Sequence, residues 1–184
     1  MFVEGKKIDI DHPAKAKSNR IGYIPYDRKE EGIALGLNVK QNITSTNLEN
    51  IGNGFMLDRK IENLHAGHWF SKLNIKAPSI DTPSKSLSGG NQQKVVVAKW
   101  LEKNSKIFLM SEPTRGIDIG SKAEIYEIAE SLCMQGAAVL MVSGELPEIL
   151  SVSDRVIVMK DGKIVKEFIT KQTSQEELMH HATA

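Results

Sequence analysis

Hydrophobic positions along this chain alternate between two periods. Ile125, Ile128, Ala129 and Leu132 fall at i, i+3, i+4 and i+7, the spacing of one helix face. Ser121 and Glu124 predict a capping box ahead of that helix, and Gln135-Gly136 predicts its end. Short unbroken apolar runs predict buried strands at residues 107–110, 137–142 and 156–159. Asp161-Gly162 predicts a tight turn from the last of these into a strand at 163–168. Earlier in the chain, residues 2–3 and 6–10 flank Gly5 as a hairpin or edge strand, 13–19 forms a short helix or turn, and 21–25 is a strand stopped by Pro25. Residues 38–48 and 58–75 carry helical patterns, the second with Ile61, Leu64, Trp69 and Leu73 on an apolar side. Another helix follows Ser88, with Val95, Ala98 and Leu101 at core spacing and Gln92, Gln93 and Lys94 crowding its start. Ser174 and Glu177 suggest a short final helix, with His180 and His181 in a frayed tail. There are no internal repeats. Strands alternating with helices predict an α/β fold with a mostly parallel sheet covered on its faces, made mixed by the two hairpins.

Composition narrows the class. With 184 residues, 40% hydrophobic and 26% charged, one globular domain is expected. A net charge of +1 argues against nucleic acid as a partner, because phosphate-backbone binders concentrate Lys and Arg. The single cysteine, Cys133, excludes an internal disulfide and is expected to be a small packing residue in a reducing compartment. No apolar run approaches the roughly 20 residues of a membrane helix, so any membrane association is expected through a partner. Charges at Glu4, Lys6, Lys7 and Asp9 argue against a signal peptide in the first ten residues. His65 and His68 lie three apart on a predicted helix, but no further ligand is placed to complete a metal site, and they are expected at the surface or in packing.

Two stretches carry candidate chemistry. In Leu87-Ser88-Gly89-Gly90-Asn91-Gln92-Gln93-Lys94, Ser88 can cap the following helix. Gly89 and Gly90 let backbone approach an anion at the helix's positive end. The second stretch is the strand at 107–110, which ends in a polar turn carrying Glu112. Acidic groups beyond the carboxyl ends of strands are where nucleotide chemistry sits in open α/β sheets.

Together, in this order, the two stretches resemble the ATP-binding subunits of ABC transporters, and within them the carbohydrate-uptake class of ribose, galactose and xylose type. Leu87 to Lys94 resembles that class's signature loop. Ser111-Glu112-Pro113-Thr114-Arg115-Gly116-Ile117-Asp118 resembles its Walker B end and D-loop, and Ser153-Asp154-Arg155-Val156-Ile157-Val158-Met159 its last core strand. The resemblance runs from about residue 3 to 168 and is greatest to the C-terminal part of the second nucleotide-binding domain of double-domain sugar subunits. It implies an incomplete P-loop NTPase domain spanning 1–184, with core β and Q-loop at 1–37, a helical subdomain with the signature at 38–104, and the Walker B to C-terminal core at 105–184.

The resemblance further implies ATP and Mg²⁺ as cofactors. It implies a second nucleotide-binding domain and the transporter's membrane subunits as partners, and a peripheral place on the cytoplasmic face of the plasma membrane. Nucleotide-facing residues are then Ser88, Gly89, Gly90, Asn91, Gln92 and Asp118, with Glu112 at the catalytic-base position.

Several family parts are different or absent in these residues. No Gly-x-x-x-x-Gly-Lys-Ser/Thr occurs, so the chain holds no phosphate cradle of its own. Ser111 stands at the Mg²⁺-ligand position, so no metal ligand is assigned there. Tyr26 stands where the Q-loop has Gln or Glu, and Gly144 where most family members have a switch histidine. The expectation is an ATPase component by family that does not hydrolyse ATP alone. Alternatives are a non-catalytic module that lends its signature loop to a partner, or a truncated remnant whose Met1 is a new start within a longer reading frame. In the fold that the resemblance implies, the Walker A strand lies between the strands at 137–142 and 156–159. Its loss leaves unpaired buried backbone groups at about 1–3 kcal/mol each. The sheet is therefore expected to pair those two strands directly, borrow a strand from a partner, or keep an open edge.

Overall fold

The computed structural model describes residues 2–52 and 56–183; Met1, the expected start, lies outside them. The chain divides into two compact units, Met1–Val142 and Ser143–Ala184.

The first unit opens with a hairpin, β1 (Phe2–Val3) and β2 (Lys6–Lys7), followed by α1 (Pro13–Ser18) and β3 (Ile21–Ile24). The second hairpin strand is shorter than the expected 6–10. The charged stretch 26–37 contains a wide helical turn at Arg28–Gly32, capped by Asp27. Next come α2 (Val39–Thr44) and α3 (Arg59–Lys72). The first ends well before residue 48, and Asn38 and Gln41 form its capping box. Helix α4 is Gly89–Glu102, followed by β4 (Ile107–Ser111), α5 (Ile119–Met134) and β5 (Ala138–Val142). Asp118, not a Ser121–Glu124 box, caps α5: its side chain accepts from the Ser121 backbone N–H.

Strands β3, β4 and β5 form one parallel sheet in that order. One face packs Ile24, Phe108 and Met110 with Val139 and Met141 against Val95, Val96 and Ala98 of α4. The other face is not covered as expected: Tyr23, Leu140 and Val142 are 45%, 57% and 60% exposed. On α3 the apolar-side expectation holds in part: Leu73 is buried in the core and Trp69 packs against it, whereas Ile61 and Leu64 are exposed. Leu64 is 72% exposed, while Glu62 and Ala66 are buried; the helix packs close through its small residue. Cys133 is exposed rather than packed.

The second unit holds α6 (Leu146–Val152), β6 (Arg155–Lys160), β7 (Lys163–Ile169) and α7 (Gln175–Thr183). The β6–β7 hairpin turns at Asp161 and Gly162, both at positive φ (51° and 74°), as a primed turn requires. Its core is Val156, Val158, Phe168 and Leu178. His180 and His181 belong to the last turn of α7 rather than to a frayed tail.

The sheet is therefore not one mixed sheet. Two antiparallel hairpins and one three-stranded parallel sheet stand separately among the described residues. β5 pairs with β4 and β6 with β7, so the direct pairing of the strands at 137–142 and 156–159 is not realised.

Candidate functional site

The site is built where α4 begins. Ser88 sits in extended geometry ahead of the helix, and its Oγ accepts from the Asn91 side-chain amide at 2.9 Å and from the Asn91 backbone N–H at 3.5 Å. Asn91 Oδ1 in turn accepts from the Lys76 N–H at 2.7 Å. Asn91 is thereby fixed between the cap and the preceding loop. The residues of α4 that seat it in the core (Val95, Val96 and Ala98) aim its positive pole at this loop.

Gly89 and Gly90 permit close approach by a second segment of the same chain. A Cβ on Gly89 would lie 2.6 Å from Arg28 Nη2 and 3.0 Å from the Gly116 carbonyl oxygen; one on Gly90 would lie 2.2 Å from Ser121 Oγ. Any side chain there would push the turn at 112–118 away from the helix start. The start of α4 and the segment 116–121 therefore meet through small residues.

Asp118 uses its carboxylate as a cap. Oδ1 accepts from the Ser121 N–H at 2.9 Å and Oδ2 from the Ser121 hydroxyl at 2.7 Å. These bonds, the backbone one first, hold its pKa below the ordinary aspartate value. Gly90, Ser121 and Asp118 thus form one contact chain.

Ser111 is the last residue of β4, opposite Val142 of β5. Glu112 follows at φ 46°, a left-handed conformation that costs a non-glycine residue on the order of 1 kcal/mol. Its backbone N–H donates to the Val142 carbonyl at 2.8 Å and its carbonyl accepts from the Arg115 N–H at 3.1 Å. The turn is therefore held from both sides. Gln92 is placed differently from expectation: it is buried, with its amide donating to the Ser84 carbonyl at 3.2 Å, and it faces inward.

Sequence reasoning placed Arg28 in a charged loop but did not single it out as a site residue, because its partners are far along the chain. Nη1 donates to the Arg115 carbonyl at 2.6 Å and Nη2 to the Gly116 carbonyl at 3.2 Å. Burial, opposed by Asp27 and assisted by Arg115, lowers its pKa. Tyr26 supports the same turn, with the Arg115 guanidinium 3.9 Å from its ring centroid.

His65 and His68 take packing roles. His65 Nδ1 faces Glu102 Oε1 at 2.8 Å, and His68 meets Trp69 edge to face. Among the described residues no group of three His, Cys, Asp or Glu side chains could hold a metal ion, and no helix is long and apolar enough to cross a membrane.

These residues do not fit Mg²⁺ and ATP bound by this chain alone. Mg²⁺ takes carboxylates together with substrate phosphates, and here a neutral hydroxyl, Ser111, stands where the charged ligand is needed. A positive helix pole with the backbone N–H groups of Gly89 and Gly90 does fit an anion presented from outside.

Residues 2–115 match the family model described as ABC transporter. The ribose import ATP-binding protein RbsA of Bacillus cereus is 44% identical over 183 residues, covering 100% of this chain and 37% of that protein. The xylose import ATP-binding protein XylG of Thermoanaerobacter pseudethanolicus is 42% identical over 183 residues, covering 100% and 36%. The chain thus spans little more than a third of the length of these relatives. A nucleotide-free ATP-binding cassette from an ABC transporter superposes with a TM-score of 0.77 at 20% identity, over 100% of this chain and 72% of that one. A dimeric cassette in a post-hydrolysis state, bound to ADP and Pi, gives 0.74 at 22% identity, over 92% and 72%. The fold is that of an ATP-binding cassette, held here in part.

Proposed function

The chain belongs to the ABC transporter family, and on that premise we propose that it is part of the ATP-binding subunit of a ribose- or xylose-type sugar importer. It lends its signature loop to nucleotide held by another domain and does not hydrolyse ATP alone. Its partners are then a second nucleotide-binding domain and the importer's membrane subunits, reached from the cytoplasmic face of the membrane. Identity to sugar-import ATP-binding proteins over the full chain supports the transport class. The two compact units belong, on this reading, to one partial nucleotide-binding domain.

One observation carries the role in trans. The start of α4 and the D-loop are packed together through Gly89, Gly90, Gly116 and Ser121, while no phosphate cradle lies in the chain's own residues. ATP with Mg²⁺, when bound by a complete partner domain, supplies the phosphoryl group to be transferred to water. This chain's part is to hold phosphate oxygens at the N–H groups of Gly89 and Gly90 and to exclude water by closing over them. Glu112 stands at the base position without a cis-bound nucleotide to serve.

Calorimetric titration with Mg²⁺–ATP to millimolar concentration tests this. No saturable heat is expected for the chain alone. Binding to a P-loop-bearing nucleotide-binding domain is expected only when that domain is ATP-loaded, and Ser88→Arg is expected to abolish it. Saturable binding by the isolated chain would overturn the proposal. The open β5 edge and bare sheet face favour a second reading, a remnant with no partner. That reading predicts no association with either form of the domain.

A further inference from the structure

Helices α3 and α5 each pack on α4, and the space left between them holds two adjoining cavities. They measure about 500 and 290 Å³ and share Trp69, Leu101, Leu132 and Gln135. The larger falls within the roughly 300–1,000 Å³ of small-molecule sites. It lies at the other end of α4 from the site above. Glu102 closes the helix that Gly89 opens, about 20 Å away at a rise of about 1.5 Å per residue.

The groups in the larger cavity are set before any ligand arrives. Trp69 is fixed by its own indole N–H, which donates to Glu102 Oε2 at 2.9 Å. Lys72, whose ammonium lies 4.9 Å from the Trp69 ring centroid, lines the smaller cavity and not the larger. His65 Nδ1 faces Glu102 Oε1 at 2.8 Å. A carboxylate only accepts, so Nδ1 carries the hydrogen, and Nε2 of the neutral ring is an acceptor. That Nε2 has no partner among the described residues. The side chains of Asn104 and Lys106 line the same cavity and are likewise without partners among the described residues. Leu64, Leu101, Leu132 and Ala137 supply its apolar wall.

This set selects by chemistry. An anion would meet the Glu102 carboxylate, and a cation would meet the Lys106 ammonium. A wholly apolar guest would cut His65 Nε2, Asn104 and Lys106 off from water without replacing their hydrogen bonds. A neutral ring with an apolar C–H face and a rim of hydroxyls satisfies every part. Its face lies on Trp69 and the leucines, and its hydroxyls donate to His65 Nε2 and exchange hydrogen bonds with Asn104 and Lys106. We propose that the larger cavity is a binding site for a small neutral sugar of the pentose class. That this sugar is the one the importer carries rests on the proposed function; the cavity and its polar set do not.

Titration of the chain with D-xylose and D-ribose, followed by proton–nitrogen NMR, tests the site. The two tryptophans, Trp69 and Trp100, give separate indole N–H signals. Saturable movement of the Trp69 signal is expected, with a millimolar or tighter dissociation constant, while the Trp100 signal stays. Ala137→Met fills the apolar wall and is expected to abolish the movement. D-mannitol offers hydroxyls without a ring face and is expected to leave the signal in place. No saturable movement with either pentose would overturn the site, as would movement that survives Ala137→Met or equal movement with mannitol. The amide signals of Phe108 and Met110 in β4 show whether the fold is kept. A second variant guards against a misfolded Ala137→Met. Asn104 sits at φ 58°, so Asn104→Gly keeps the backbone and removes the side-chain amide. It is expected to weaken binding about three- to tenfold, the scale of one hydrogen bond; unchanged affinity would overturn the assignment. A failed association with an ATP-loaded domain would strike the proposed function and leave these titrations as they are.

Discussion

Glu102 keeps both carboxylate oxygens inside the protein. Oε1 accepts from the Asn47 amide at 2.7 Å and faces His65 Nδ1 at 2.8 Å, while Oε2 accepts from the Trp69 indole N–H at 2.9 Å. It is the last residue of α4, where the helix dipole disfavours an anion, so these donors make the position tenable. Glu102→Ala removes the acceptor and leaves the Asn47 and Trp69 donors without it. A loss of about 3–5 kcal/mol is expected from urea unfolding. A loss below about 1 kcal/mol would show that water replaces the carboxylate, an outcome the adjoining cavity of about 500 Å³ makes measurable. Asp118 gives a pH test. Ser121 holds its folded pKa below the ordinary value. The ionised form therefore stabilises the fold fully above about pH 4, and the contribution is lost as pH falls through the lower folded value. Ser121→Ala deletes the hydroxyl donor and keeps the backbone one. An upward shift of the Asp118 carboxyl titration, followed by carbon-13 NMR, is expected; no shift would show that the hydroxyl bond does not form in solution.

Element by element, the sequence was legible where the determinants are local. The Ser88-Gly89-Gly90 start of α4, the β4 run into Glu112, and the 161–162 turn all lie where their residues predict. The misses share a physical cause, which is dependence on groups far away in the chain. Ala-Val-Leu-Met-Val of β5 reads the same whether one face or both are covered; exposure of Leu140 and Val142 is set by what packs on them. The first half of the α3 stripe was misplaced because Ala66, a weak hydrophobic signal, makes the close contact while Leu64 stays outside. The part played by Arg28 was invisible because its two acceptors come 87 and 88 residues later. β5 also carries a liability: a strand with one edge unpaired among the described residues, no charge and no proline invites association. Leu140→Lys is expected to change unfolding free energy by no more than about 0.5 kcal/mol and to lower concentration-dependent light scattering. A stability loss above about 2 kcal/mol, the scale of a buried leucine, would show instead that this face is covered in solution.

At the scale of the whole molecule, hydrophobic content is shared between a large core around α4 and a small one in residues 143–183. Small cores have little margin, because below about 70–80 residues burial rarely supplies more than 3–5 kcal/mol. In the second unit β7 contributes one buried side chain, Phe168, amid exposed neighbours. The β6–β7 ladder, with Val156 opposite Phe168, and the α7 residue Leu178 converge on that ring's cluster. Phe168→Ala removes about 3–5 kcal/mol, as much as such a core supplies. The expected result is loss of hydrogen-exchange protection along the whole Arg155–Ile169 hairpin, not at position 168 alone. Phe168→Leu keeps most of the volume and is expected to retain protection at a cost below about 1.5 kcal/mol. Protected hairpin amides in Phe168→Ala would mean that the hairpin draws stability from contacts beyond its own core, and its small hydrophobic cluster would no longer account for its order.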